Sequence, residues 1–135
     1  MKVDHVGYAV ARLDLAIPAF EALGYIFDEI VPDVARNVQL AFGSNGSYRV
    51  ELIAPLNASE KSPVDAYLNK LGPTPYHIAY LSDNWEVDLA LLHDQGFRVV
   101  IPAAPAVAFG GRRVVFMASA AVGLIELVEA TGTRC

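Results

Sequence analysis

The sequence predicts an α+β fold in which one strand-helix-strand-strand-strand unit occurs twice. Three observations predict it. His5-Val6-Gly7-Tyr8-Ala9 and Tyr76-His77-Ile78-Ala79-Tyr80 are both short alternating strands carrying a histidine, and the two histidines lie 72 positions apart. Leu23-Gly24-Tyr25 and Gln95-Gly96-Phe97 each close a helical pattern at that same separation. Phe42 answers Phe116 at 74, and Val50-Glu51-Leu52-Ile53 answers Ile125-Glu126-Leu127-Val128 at 75, a drift that small loop differences explain. Each copy opens on a histidine strand and ends on a glutamate strand. His5, Glu51, His77 and Glu126 are therefore a candidate set.

Val3 to Val10 alternates, with His5, Gly7 and Ala9 on one face and Val6, Tyr8 and Val10 on the other. The bulky face should pack on a helix and leave the histidine over open space. Leu13, Ile17, Phe20 and Leu23 recur at helical spacing, with Asp14 as the expected N-cap, Pro18 in the first turn and Gly24 as terminator. Tyr25 to Val31 and Val38 to Phe42 read as strands around a loop of Pro32, Asp33, Arg36 and Asn37, and Tyr48 to Ala54 ends the first copy. Ser62-Pro63 then starts a bridging helix, which Gly72-Pro73 stops. In the second copy Pro75 to Leu81 is the histidine strand, and Asp83 with Glu86 resembles a capping box for the helix of Trp85, Leu89 and Leu92. Phe97 to Ile101, Arg113 to Ala118 and Gly123 to Glu129 complete it, with Pro102 to Arg112 as a long loop. The expected organisation is one domain over 1–135, with module one at about 3–56, a bridging helix at about 62–71 and module two at about 75–130.

A chain of 135 residues that is 54% hydrophobic can bury a core without staples. Ten basic against fifteen acidic residues, with no Lys or Arg cluster, argue against nucleic acid as a partner. No apolar run approaches the length that crosses a bilayer, and no basic-then-apolar leader opens the chain, so a cytoplasmic protein with no membrane partner is expected. Cys135 is the only cysteine, so an internal disulfide is impossible.

Taken singly, His5 or His77 reads as an ordinary residue of a half-buried strand. Glu51 and Glu126 are harder to dismiss. Each is ionisable inside an apolar strand, where a lone carboxylate is costly to desolvate, so something cationic should face it. Arg49 and the Arg112-Arg113 pair are nearby candidates. A divalent metal held by two imidazoles and two carboxylates would satisfy all four residues together.

These residues carry a resemblance. Asp4-His5-Val6-Gly7-Tyr8-Ala9-Val10, Val50-Glu51-Leu52-Ile53-Ala54-Pro55-Leu56, Ser62-Pro63-Val64, Tyr76-His77-Ile78-Ala79-Tyr80 and Gly123-Leu124-Ile125-Glu126-Leu127-Val128-Glu129 resemble the vicinal oxygen chelate superfamily, which includes glyoxalase I and the bleomycin-resistance proteins. Within it the chain looks most like the methylmalonyl-CoA epimerases. The resemblance spans residue 3 to about residue 129 and implies paired modules in a cup-shaped, eight-stranded mixed sheet. It also implies one divalent ion (Zn, Co, Ni, Mn or Fe) on His5, Glu51, His77 and Glu126, and a homodimer, since relatives are commonly dimers. The implied chemistry is metal-dependent isomerase or lyase action, through an enolate, on a small acyl thioester or 2-oxo compound. Glu126 matches one catalytic base.

The second base of the epimerases lies in a Glu-Gln-Gly-Val pattern, where this chain has Ala35-Arg36-Asn37-Val38. Ala35 takes the glutamate position, and Asp33 is the nearest acid that could replace it. Arg36 and Asn37 suggest an anionic or carbonyl-bearing substrate, and Arg112 or Arg113, after two glycines, suggests a carboxylate or phosphate site. His93 falls on the surface of a helix. Three other readings compete: a glyoxalase-I-like lyase, an iron dioxygenase, and a metal-free, ligand-sequestering protein of the bleomycin-resistance kind. The four-residue donor set argues against the last, because such binding proteins usually lose it. It also sits less easily with oxygen activation than a three-ligand site.

Overall fold

The computed structural model describes residues 1–130, so Cys135 lies outside the described residues. The strands are β1 (Lys2–Ala9), β2 (Ile26–Phe27), β3 (Val31–Asp33), β4 (Val38–Asn45), β5 (Tyr48–Pro55), β6 (Thr74–Ser82), β7 (Arg98–Pro105), β8 (Arg113–Ser119) and β9 (Gly123–Glu129). The helices are α1 (Leu13–Ala22), α2 (Asp65–Leu71) and α3 (Trp85–Asp94). The sheet is mixed and runs β2-β4-β5-β1-β6-β9-β8-β7, with β3 paired to β4 off this path. Among the described residues it therefore has nine strands, where the resemblance implies eight. The extra one arises because the expected strand from Tyr25 to Val31 breaks into β2 and β3, both antiparallel to β4. Among the described residues no helix is long and apolar enough to cross a membrane.

The chain divides into two compact units, His5–Tyr76 and a second formed by Met1–Asp4 with the chain from His77 onward. In the first, β1 and β5 are parallel and β4 and β5 antiparallel. Val10, Leu13, Val50, Leu52 and Ala54 make its core, closed by Tyr8, Ile17, Phe20 and Phe27. In the second, β6 and β9 are parallel and β8 lies antiparallel to β9. Trp85, Leu92, Val115, Met117, Ile125 and Leu127 form the corresponding core. In both units the helix packs on the strand face that carries no histidine, which is the pairing the alternation predicts.

Both repeated helices end identically. Gly24 N–H bonds Glu21 O and Tyr25 N–H bonds Phe20 O; Gly96 N–H bonds His93 O and Phe97 N–H bonds Leu92 O. Gly24 (φ 101°) and Gly96 (φ 94°) supply the left-handed residue that this termination needs. The helix starts differ from expectation. The N-cap of α1 is Arg12, because Ala16 N–H already bonds Arg12 O. Asp14 falls inside the first turn, where it pairs with Arg12 at 2.6 Å, and Pro18 moves into the second turn. Asn84 caps α3 through its backbone with no side-chain bond, so Asp83 and Glu86 form no capping box. Instead the Ser82 hydroxyl donates to Asp88 at 2.6 Å. The bridging helix begins at Asp65, whose carboxylate accepts from both the Ser62 N–H (2.8 Å) and the Ser62 hydroxyl (2.7 Å).

The second copy meets the problem of β2 and β3 another way. β7 stays continuous but shifts register twice against β8, between Val99 and Ile101 and again before Ala104. It thus runs through Pro102 to Pro105, a stretch whose prolines predict a loop. As the terminal strand of the sheet it tolerates prolines that donate no ladder bond. In the first copy the tight point is Gly43, opposite Phe27. A Cβ there would lie 2.4 Å from the Phe27 ring. Gly43→Ala is expected to cost roughly 1–3 kcal/mol through overpacking, as a lowered thermal midpoint. An unchanged midpoint would mean that β2 separates from β4 at little cost.

Candidate metal centre

His5 and Glu51 come together because β1 and β5 run parallel in a register that sets Gly7 beside Glu51. His5 is two residues before Gly7 and shares its face, and the small glycine leaves room for the carboxylate. His5 Nε2 lies 3.0 Å from Glu51 Oε1. The second unit repeats this design. Ala79 sits beside Glu126 in the β6–β9 pair, and His77 Nε2 lies 3.2 Å from Glu126 Oε1.

Each pair has an aromatic wall. Phe42 is opposite Glu51 across β4–β5, and Phe116 is opposite Glu126 across β8–β9. The His5 ring meets Phe42 edge-on at 5.2 Å, and His77 meets Phe116 edge-on at 5.2 Å. Phe42, Phe116, Gly7 and Ala79 are visible in the repeat, yet residue type alone does not mark them as site residues. Their signal is recurrence at the offset of the histidines and glutamates.

All four candidate ligands are buried, with His5 at 1%, His77 at 3%, and Glu51 and Glu126 at 4% exposure. The histidine does not stand over open space as the alternation suggests. A carboxylate from the adjacent strand and a phenylalanine from the strand beyond it close over it. Each residue offers one ligand atom, and these atoms all lie within 4.8 Å of one another. Four donors about 2.1 Å from a common divalent ion sit about 3.4 Å apart in a tetrahedron and about 4.2 Å apart when trans. From 4.8 Å the widest pair would close by about 0.6 Å to reach the trans spacing and by about 1.4 Å to reach the tetrahedral one. Two buried carboxylates so close together repel unless a cation or protons compensate, so the donor chemistry fits a divalent ion.

The other residues singled out in the sequence are placed as follows. Asp33 is buried, shares a rung with Val38, and accepts from the Arg36 backbone N–H (3.3 Å) and from Arg36 Nη1 (3.0 Å). Val38 is four residues along β4 from Phe42, roughly 13 Å at strand rise. Asn37 adopts the left-handed conformation at φ 54°. Its amide donates to the carbonyls of Asn57, Glu60 and Lys61 and its oxygen accepts from Asn57 N–H, so it ties the loop after β5 to the turn before β4. Arg112 donates to the carbonyls of Phe109, Glu129 and Ala130. Arg113 pairs with Glu129 at 2.8 Å and lies over the Trp85 ring. Hydrogen bonding to Glu129 raises the Arg113 pKa. His93 is exposed, as expected.

A family model described as the Glyoxalase/Bleomycin resistance protein/Dioxygenase superfamily matches residues 4–116. The chain belongs to this superfamily. Among solved structures, this vicinal oxygen chelate chain is similar to methylmalonyl-CoA epimerase from Mycobacterium tuberculosis. The two share 31% identity and a TM-score of 0.81, over 97% of this chain and 89% of that one. A Streptomyces coelicolor methylmalonyl-CoA epimerase variant in complex with 2-nitronate-propionyl-CoA is 25% identical with a TM-score of 0.80, covering 98% and 99%. The chain is also 32% identical to the uncharacterized protein YqjC of Bacillus subtilis (strain 168), over 98% of this chain and 95% of that protein.

Proposed function

We propose that this member of the superfamily is a metal-dependent isomerase or lyase that moves the proton beside the carbonyl of a small acyl thioester or 2-oxo compound. The observation that carries this reading is the buried quartet His5, Glu51, His77 and Glu126, whose ligand atoms share one 4.8 Å neighbourhood. These four would hold the ion. When bound, a divalent ion there supplies Lewis-acid stabilisation of the negative charge that develops on the carbonyl oxygen.

The chain's own groups do the rest. Glu126 is the proposed base: it takes the proton from the α-carbon, the electron pair moves into the carbonyl as an enolate, and the same carboxyl returns the proton. Burial of His5, His77 and Glu51 keeps water from the reacting carbon. Phe42 and Phe116 hold the imidazoles edge-on, which limits their rotation.

Epimerisation on both faces of the carbon requires a second base, and Ala35 carries no acid. The Asp33 carboxylate is held by Arg36 and lies several rungs from Glu51. This favours a one-base proton transfer, the chemistry of an isomerase or of a glyoxalase-like lyase, over two-face epimerisation. The test is α-proton exchange in deuterated water with metal-loaded protein and candidate thioesters and hemithioacetals. Exchange without racemisation is expected. Exchange with rapid racemisation of methylmalonyl-CoA would restore the two-base reading, and no metal uptake on reconstitution would end the enzyme reading altogether. Ala35→Glu is expected to raise the racemisation rate relative to exchange, measured by chiral analysis of recovered thioester. No change in that ratio would show that the missing glutamate is not what limits it.

A further inference from the structure

The duplication that builds the metal centre also offers a comparison on the other face of the strands. α1 and α3 match at an offset of 72 along their whole length, as do the starts of β1 and β6. Val10 therefore answers Ser82, Ala16 answers Asp88 and Ala19 answers Leu91. In the second unit the Ser82 hydroxyl donates to Asp88 at 2.6 Å and so ties the end of its strand to its helix. In the first unit the side chains of Val10 and Ala16 can form no such bond, and Ala16 stops at its Cβ.

What stands there instead is a cavity of about 300 Å³, lined by Tyr8, Val10, Ala16, Ala19, Phe20 and Pro73, all of them in the first unit. Tyr8 and, just past the strand's end, Val10 lie on the face opposite His5. The cavity and the metal donor His5 are thus on opposite sides of β1. Packing between a helix and its strand seldom leaves a void much larger than a water molecule. A volume of this size falls at the lower end of the range that small-molecule sites occupy.

The chemistry of the lining is apolar. Tyr8 and Phe20 form an edge-on aromatic wall with ring centroids 5.1 Å apart, and the alanines, valine and proline add no polar side chain. The charged residue that reaches the cavity, Arg12, already holds Asp14 through Nε at 3.0 Å and Nη2 at 2.6 Å. Its rim therefore carries a neutral pair, and an ion would shed hydration there without a compensating charge. An uncharged ring loses little and gains contact with two aromatic faces. An apolar cavity of about 150 Å³ accepts benzene, so twice that volume suits one or two rings.

We propose that this cavity between α1 and β1 is a second ligand site, separate from the metal centre, that takes an uncharged aromatic molecule of one or two rings. It needs no ion and is independent of the proposed reaction.

The test follows the backbone amides of the full chain by NMR, zinc-loaded and again after chelation, while indole, 2-naphthol or the 2-naphthoate anion is added. Indole and 2-naphthol are expected to give saturable shifts within residues 8–20 and nuclear Overhauser contacts to the Ala16 and Ala19 methyls, alike in both samples. The 2-naphthoate anion should bind at least about tenfold more weakly than 2-naphthol. Ala16→Leu, which puts three more carbons into the cavity, should weaken 2-naphthol at least about tenfold. The double change Val10→Ser with Ala16→Asp, which transplants the bond of the second unit, should do the same. Each variant is read once its spectrum shows native dispersion, and the Overhauser contacts decide the matter where a variant fails to fold. Shifts that do not saturate, contacts to His5, Glu51, His77 or Glu126 in place of the alanines, binding that requires zinc, equal affinity for naphthoate and naphthol, or undiminished binding by a folded variant each overturn the proposal. So do shifts of the same amides on raising the protein concentration alone, since a second copy of the chain would then cover this face.

Discussion

Glu126→Gln is expected to lower the rate of α-proton exchange by about 10²- to 10⁴-fold while the protein stays folded. The reason lies in what each change removes. Glutamine keeps an oxygen donor of the same reach, so Ala79 and His77 need not repack, but it cannot accept the proton. Metal content after reconstitution and exchange in deuterated water, measured on the same sample, separate the two roles. Reduced exchange with metal retained identifies Glu126 as the base. Exchange that persists at the wild-type rate would assign the base to another residue and leave Glu126 as a ligand alone.

His77→Ala is expected to weaken metal binding by more than about a hundredfold, since loss of even a supporting group around a ligand costs 10- to 100-fold. It should also destabilise the protein, because His77 is 3% exposed and the truncation leaves a hole against Phe116. The cleaner readout is the response to metal. At a thousandfold excess over its dissociation constant an ion that binds only the folded chain stabilises it by about 4 kcal/mol. Wild type should therefore gain thermal stability on adding a divalent ion and lose it to a chelator, and His77→Ala should lose most of both responses, keeping no more than about 1.4 kcal/mol at the same ion concentration. A variant that keeps the full metal-dependent shift would show that the ion sits elsewhere.

The fold is legible because its main signals are local and are written twice. Two histidine strands, two glycine-terminated helices and two glutamate strands at nearly constant offset leave little freedom in topology. The departures from expectation are local as well. Asp14 and Asp83 read as caps because an acidic residue near a helix start is the usual signal, yet each helix begins where a backbone carbonyl, of Arg12 or Asn84, captures the first N–H. The break of one expected strand into β2 and β3 follows from pairing with β4, which no window of sequence displays.

Within the site, the amino-acid order alone is enough to say which residues have the chemistry. Glu51 and Glu126, as carboxylates inside apolar strands, announce that something must compensate them, and the repeat ties each to a histidine. Which residues meet is a property of the folded chain. Parallel pairing of β1 with β5 and of β6 with β9 sets each small residue beside its glutamate and brings imidazole and carboxylate to 3.0 and 3.2 Å. Folding also directs Asp33 to Arg36, Asn37 to the loop after β5, and Arg112 and Arg113 to carbonyls and Glu129. Neighbourhood in the chain points to catalytic or substrate-facing roles for those residues, and their contacts in the fold are of another kind. A side chain's donors and charges come with its residue type, but its partners depend on strand register, and register is set by contacts between segments far apart along the chain.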